Sequence, residues 1–166
     1  MIRFSAPFLS MILLTASDAA LAQTKPEPCP LAGTWTLVAA DVIRPDGSRG
    51  PDYGASPQGL LIVDGNGRYA LQIYKSERPR FQSGDKLKGT AAEYEAAIVG
   101  ASTHFGTLSV DVAARTLTMN LDASSFPNQE KTVQKRVYEL DGDVLSYRVP
   151  PRPDGSIPIS IWKRLR

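Results

Sequence analysis

Apolar side chains recur at every second position along much of this chain, and that spacing admits little besides β-sheet. Leu117, Met119 and Leu121 alternate with Thr116, Thr118, Asn120 and Asp122. Leu108, Val110 and Val112 alternate with Thr107, Ser109 and Asp111, and Ile157, Ile159 and Ile161 repeat the pattern near the end. Successive side chains of a strand point to opposite faces, so a period of two makes a strand with one buried face. The runs are short, and turn-forming residues separate them: Asp46-Gly47, Asp64-Gly65-Asn66-Gly67, Asp141-Gly142 and Asp154-Gly155. Such pairs favour the positive φ angles of tight hairpins. Strands joined in sequence by hairpins make an all-β, antiparallel fold.

The spacing predicts strands over 35–43, 59–64, 68–75, 107–112, 116–123, 132–140, 144–149 and 157–165. About eight strands close a small up-and-down barrel with room for a ligand. A sandwich would satisfy the same alternation. One short helix interrupts the strands. Thr90-Ala91-Ala92-Glu93 is a capping box, in which the Thr side chain accepts from the Glu N–H and the Glu carboxylate reaches back. Tyr94, Ala97, Ile98 and Ala101 then share one helical face, so the helix is expected to pack across the mouth or side of the barrel, as a connector or as a lid.

Residues 1–22 have the layout of a secretory signal peptide: Arg3, the apolar run PFLSMILLTA, and the small-x-small ending Ala20-Leu21-Ala22. The run is shorter than the roughly 20 apolar residues that span a bilayer, and Asp18 interrupts it. Removing 1–22 leaves 144 residues, one ordinary domain able to bury a core. The domain plan is therefore a signal peptide (1–22), a flexible leader (23–30) and a barrel (31–166), with no membrane segment after cleavage and the periplasm or the medium as destination. The net charge is +2, and the removed segment carries one charge of each sign, so the mature chain keeps it. No Lys/Arg block is interleaved with aromatics, which argues against nucleic acid as a partner; the terminal KRLR reads as a solvated tail. Cys29 is the only cysteine, so no internal disulfide forms. It reads as an inert thiol in the leader, or as half of an intermolecular disulfide.

A Gly-Thr-Trp triplet, Gly33 to Trp35, stands where the first strand begins. Trp is the largest available plug for one end of a core, and its N–H can still find a partner. The triplet is similar to the lipocalin and calycin signature. The stretch LAGTWTLVAADV, the following DG, the stretch YGASPQGLLIVDGNGRYALQIYKSERPRF and the later SFPNQEKTVQKRVYELDGDVLSYRV together resemble the bacterial lipocalin-like domain family. The resemblance runs from about Leu31 to Val149 and on toward the end. It implies a lipocalin-like, calycin-type barrel in which Trp35 closes one end, Gly33 permits close chain approach, and a basic side chain lies over the indole. Arg164 is the natural candidate for that cation–π contact, with Lys163 and Arg136 as alternatives. Members of the family often carry His in the strand before FPN; Met119-Asn120 stand there in this chain. The family's function is mostly unassigned, so the resemblance carries little activity with it.

Strand 132–140 holds the most informative candidates. Gln134, Arg136, Tyr138 and Leu140 share one face, and Val133, Lys135, Val137 and Glu139 the other. With the first face inward, Gln134, Arg136 and Tyr138 would orient a ligand having an apolar body and a carboxylate or carbonyl, since Arg grips oxyanions through a bidentate fork. With the second inward, Val133 and Val137 fill the core instead. Tyr69 shares its face with Leu71 and Ile73, and Tyr147 shares its face with Leu145 and Val149; both are lumen candidates. Arg78-Pro79-Arg80-Phe81 is a Pro-stiffened loop whose two arginines, Arg78 as the ligand candidate, could guard an opening, or which is simply a solvated loop.

Enzyme chemistry has little support in the sequence. His104 is the only histidine and has no visible carboxylate or hydroxyl partner, so it reads as structural. One His, one Cys and no carboxylates at ligand spacing argue against a metal. No nucleophile elbow or phosphate loop is present, and no cofactor is expected. The leading expectation is an exported protein that binds a small hydrophobic or amphipathic molecule in its barrel. One alternative is an isomerase or cyclase, with Arg136, Tyr138 or Tyr69 converging on an acid such as Asp41 or Glu139. The other is a structural or interaction module with a filled barrel.

Overall fold

A computed structural model describes residues 28–166. The chain runs β1 (Gly33–Ile43), β2 (Arg49–Pro51), β3 (Gln58–Val63), β4 (Arg68–Tyr74), α1 (Ala91–Val99), β5 (Ala101–Asp111), β6 (Thr116–Ser124), a single 3₁₀ turn at Pro127–Gln129, β7 (Val133–Asp141), β8 (Val144–Arg148) and β9 (Ile157–Leu165). Every strand from β3 to β9 pairs antiparallel with the next, and β1 pairs with both β3 and β9. That double pairing closes an eight-stranded barrel and rules out the sandwich. The three-residue β2, which the sequence did not announce, pairs only with the far end of β1 at Asp41–Ile43. The residues 1–22 read as a signal peptide lie outside the described residues.

Two β-bulges set which side chains face the lumen. In β1 the pairing with β9 shifts between Leu37 and Ala39. Trp35 and Leu37 point inward before the shift, Ala40 and Val42 after it, and Val38 is left exposed. In β6 the shift falls opposite Phe105 and Gly106, where Gly106 pairs with Leu121 but Phe105 pairs with Ala123. A Cβ on Gly106 would lie 1.9 Å from the Asn120 carbonyl oxygen, so only glycine fits this approach. The terminal isoleucines correct a reading from alternation. In β9 Ser160 and Trp162 are buried, and of the three isoleucines only Ile159 is buried and lines the open end of the barrel, while Ile157 and Ile161 are half-buried.

One end of the barrel is solid. Trp35 and Trp162 are both 0% exposed, packed with Leu31, Leu61, Leu117, Met119 and Leu145. The Trp35 indole N–H donates to the Leu31 carbonyl at 3.0 Å. The Arg164 guanidinium lies 4.0 Å from the centre of the Trp35 ring and donates to the Ala32 carbonyl. Gly33 makes room for it: its φ is +137°, and a Cβ there would sit 2.8 Å from Arg164 Nη1. The C-terminal run is therefore more than a solvated tail, because Arg166 also pairs with Asp143 at 2.5 Å. Lys163 is exposed and Arg136 lies elsewhere in the lumen.

The fastened chain begins before Leu31. Cys29 donates its N–H to the Gly65 carbonyl at 2.9 Å and packs, half-buried, against the core, so it is tied to the β3–β4 hairpin rather than placed in a free leader. Among the described residues no helix is long and apolar enough to cross a membrane. The capping box of α1 forms as the sequence indicates, but no residue of the helix is buried. Ile98 remains 48% exposed. The partner of α1 is its own leading loop: Phe81 meets Tyr94 edge to face at 5.4 Å, and Glu93 also accepts the Gln82 N–H at 2.7 Å. Ala101, expected on the helical face, opens β5 instead.

Candidate ligand-binding site

The other end of the barrel is open. A cavity of about 640 Å³ is lined by the final residues of β1, β4 and β8, the opening residues of β5, β7 and β9, and the loops after β2, β6 and β8. All of these lie at the end away from the two tryptophans. A volume of this size suits a small organic ligand. Leu71, Ile73 and Val149 give it apolar wall, and Ser102, Ser160 and Gln134 give it polar wall. At the mouth, Arg152 of the Pro150–Pro153 loop grips Asp52 through both oxygens, at 3.1 and 2.5 Å. No residue of α1 lines this cavity, so the helix is not its lid.

The register of β7 resolves the ambiguity left by its sequence. Val133, Val137 and Glu139 are exposed, and Arg136 and Tyr138 are buried. Arg136 is only 4% exposed. Its Nη2 donates to Gln134 Oε1 at 2.6 Å, its guanidinium lies 4.9 Å from the centre of the Tyr147 ring, and its Nε has no hydrogen-bond partner. The ion pairs found among the described residues use other cations, namely Arg49, Arg68, Lys88, Arg152, Arg164 and Arg166. Arg136 is thus a buried charge with no ion-pair partner among the described residues. The Tyr147 hydroxyl, beside it, is also buried and unpartnered.

His104 is the group that sequence reasoning dismissed. It lines the cavity, is 6% exposed, and meets the Tyr69 hydroxyl through Nδ1 at 3.0 Å with the rings edge to face. Burial, with a smaller push from the Arg136 charge, lowers its pKa to about 3, so the ring is neutral at ordinary pH. Burial likewise raises the Tyr69 pKa and keeps its hydroxyl protonated. The signal for His104 was present: continuing the β5 alternation backward from Leu108 through Gly106 reaches His104 on the inner face. Its partner was not legible, because Tyr69 stands opposite Gly106 and reaches His104 along the diagonal of a register that the sequence does not state.

The other expected site residues divide. Gln134, Arg136 and Tyr147 line the cavity. Tyr69 stands behind His104, in the core rather than in the cavity wall. Tyr138 is buried opposite Tyr147 and does not reach the cavity. Arg78 does not guard the opening; it is exposed and stacks over the Tyr74 ring at 4.8 Å on the outside. Neither acid proposed to converge on Arg136 pairs with it: Glu139 is exposed on the outer face, and Asp41 lines the same cavity but is held by Arg49 at 2.7 Å. No cluster of metal-binding side chains occurs among the described residues.

A closed antiparallel barrel, plugged at one end by Trp35 under Arg164 and hollow at the other, is a lipocalin-like fold. The chain belongs to the lipocalin-like domain family, which its sequence matches over residues 32–165. No curated protein and no solved structure matches it.

Proposed function

We propose that this protein is an exported carrier that holds a small amphipathic acid in the open end of its barrel, with the acid's negative head on Arg136. The observation that carries the reading is the Arg136 side chain, buried in the cavity wall with no carboxylate partner among the described residues. A guanidinium does not shed its proton to escape burial, and an isolated buried charge is costly. An anion entering the cavity would supply the missing partner through charge-assisted hydrogen bonds. The apolar wall of Leu71, Ile73 and Val149 would take the body of the ligand. Export rests on the signal-peptide layout of residues 1–22 and makes the periplasm or the medium the place of action. The hollow end weighs against a module with a filled barrel, and the engagement of Asp41 by Arg49 and the outward face of Glu139 weigh against the isomerase or cyclase as first conceived.

Titration calorimetry with decanoate against the mature protein tests the reading, with decanol as the uncharged control. The carrier binds decanoate and loses at least tenfold in affinity for decanol, a preference that disappears in Arg136→Met. Equal affinity for the two, or decanoate binding unaltered by Arg136→Met, would overturn it.

A further inference from the structure

His104 and Tyr69 form a second polar station in the same lumen, and nothing in the anion-binding reading uses it. His104 lies on β5 and Arg136 on β7, with β6 between them. Along β6, His104 pairs with Ser124 while Arg136 pairs with Leu117. No hydrogen bond joins Arg136 to His104 or Tyr69 among the described residues; Arg136 turns to Gln134 instead. The Arg136 charge reaches His104, helping to lower its pKa, but the two side chains offer separate donors, so each can take its own group of one ligand.

The chemistry of the second station is fixed by its hydrogen-bond accounting. A neutral imidazole has one N–H and one lone pair. The Tyr69 hydroxyl keeps its proton and meets His104 Nδ1 at 3.0 Å; a phenol O–H is the better donor and an imidazole lone pair the better acceptor of the two, so the bond is assigned as Tyr69 O–H to Nδ1. That leaves the imidazole proton on Nε2. Nε2 has no partner among the described residues, and the ring lines the cavity, so a ligand meets a neutral N–H donor there. With the carboxylate of the ligand on Arg136, this neutral donor is left for a second oxygen acceptor: a hydroxyl, ether or carbonyl oxygen. Left facing a methylene, it loses the hydrogen bond that water gave it in the empty barrel.

We infer that the ligand is an oxygenated carboxylic acid, its carboxylate on Arg136 and a hydroxyl or oxo group on His104 Nε2, with Tyr69 fixing the imidazole tautomer. This rests on the anion-binding reading and narrows it to a ligand class. A plain fatty acid would satisfy Arg136 and leave His104 unanswered. A site built to hydrogen-bond an oxygen discriminates against the analogue lacking it more sharply than an apolar pocket separates chain lengths.

The test is a ratio of affinities, measured by calorimetry on the mature protein with decanoate, its terminal-hydroxy derivative and a series of mid-chain hydroxy- and oxo-decanoates. The expected result is a preference of about tenfold or more for at least one oxygenated acid over decanoate, falling to near unity in His104→Leu and in Tyr69→Phe. Tyr69→Phe keeps the ring volume and serves if His104→Leu fails to fold. A wild-type ratio near unity for every derivative overturns the inference and leaves the anion site standing. A preference that survives in the variants overturns the assignment to His104. Failure of the wild type to bind any of the acids overturns the anion-binding reading itself, and this inference with it.

Discussion

Replacing Arg136 by Met should make the empty protein more stable while it destroys the site. Met follows the path of the arginine stem and removes the charge. What is lost is one hydrogen bond to Gln134 and a cation–π contact with Tyr147, each worth about 1 kcal/mol. Gln134 lines the cavity and can turn to water, so it is not orphaned. What is removed is a guanidinium 4% exposed, with a free Nε and no counter-ion, whose desolvation costs several kcal/mol. The difference favours the variant by about 1–3 kcal/mol, which raises the melting temperature by about 3–10 °C for a domain of this length. Urea denaturation and thermal melts of both proteins without ligand measure it. Decanoate at a hundredfold excess over its dissociation constant should then stabilise the wild type by about 2.7 kcal/mol and leave the variant unmoved. A destabilised variant would show that the Arg136 charge is already compensated in the empty barrel, and the reasoning would fail at its first step.

Three further outcomes follow from the geometry. Stability should fall as pH drops from about 6.5 toward 3, by up to about 1.4 kcal/mol per unit from His104 alone, because the unfolded imidazole takes up a proton across that window and the folded one does not; urea midpoints compared with those of His104→Gln isolate this contribution, and equal pH slopes for the two would refute it. Gly33→Ala should cost about 1–3 kcal/mol through its positive φ and its clash with Arg164, and the double variant with Arg164→Met should cost less than the sum, as a double-mutant cycle in urea would read. Met119→Ala, at a side chain 0% exposed in the packed end, should cost about 2–5 kcal/mol by denaturation and leave decanoate binding within twofold, since Met119 does not line the cavity.

Much of the fold is local and could be read from the chain. Leu117, Met119 and Leu121 name the buried face of β6 because strand geometry imposes a period of two wherever a strand is half buried. The Asp-Gly turns and the Thr90–Glu93 capping box are short-range devices whose partners lie a few residues away. Gly33 and Trp35 mark the plugged end through a resemblance borne on neighbouring residues, and Arg164 sits over the indole as that resemblance implied. The alternation misleads where a bulge intervenes, or where half-buried isoleucines such as Ile157 and Ile161 copy a core pattern, as in β9.

The site was legible only in part. Gln134, Arg136 and Tyr147 could be nominated from residue type and parity, but the face of β7 that turns inward depends on its pairing with β6 and β8. Tyr138 shows the limit of that parity: it points inward as Arg136 does, yet lies below the cavity floor. Arg78 failed because the path of the loop after β4 was unknown, and Tyr74 holds it on the outside. The pairing of His104 with Tyr69, and the lack of an ion pair to Arg136 among the described residues, are facts about residues more than thirty positions apart. By itself the sequence determined the strands, the turns, the plugged end and the family. Barrel closure decided the hollow end, the neutral histidine and the unpaired buried charge, because each depends on which distant side chains share one small volume shielded from water.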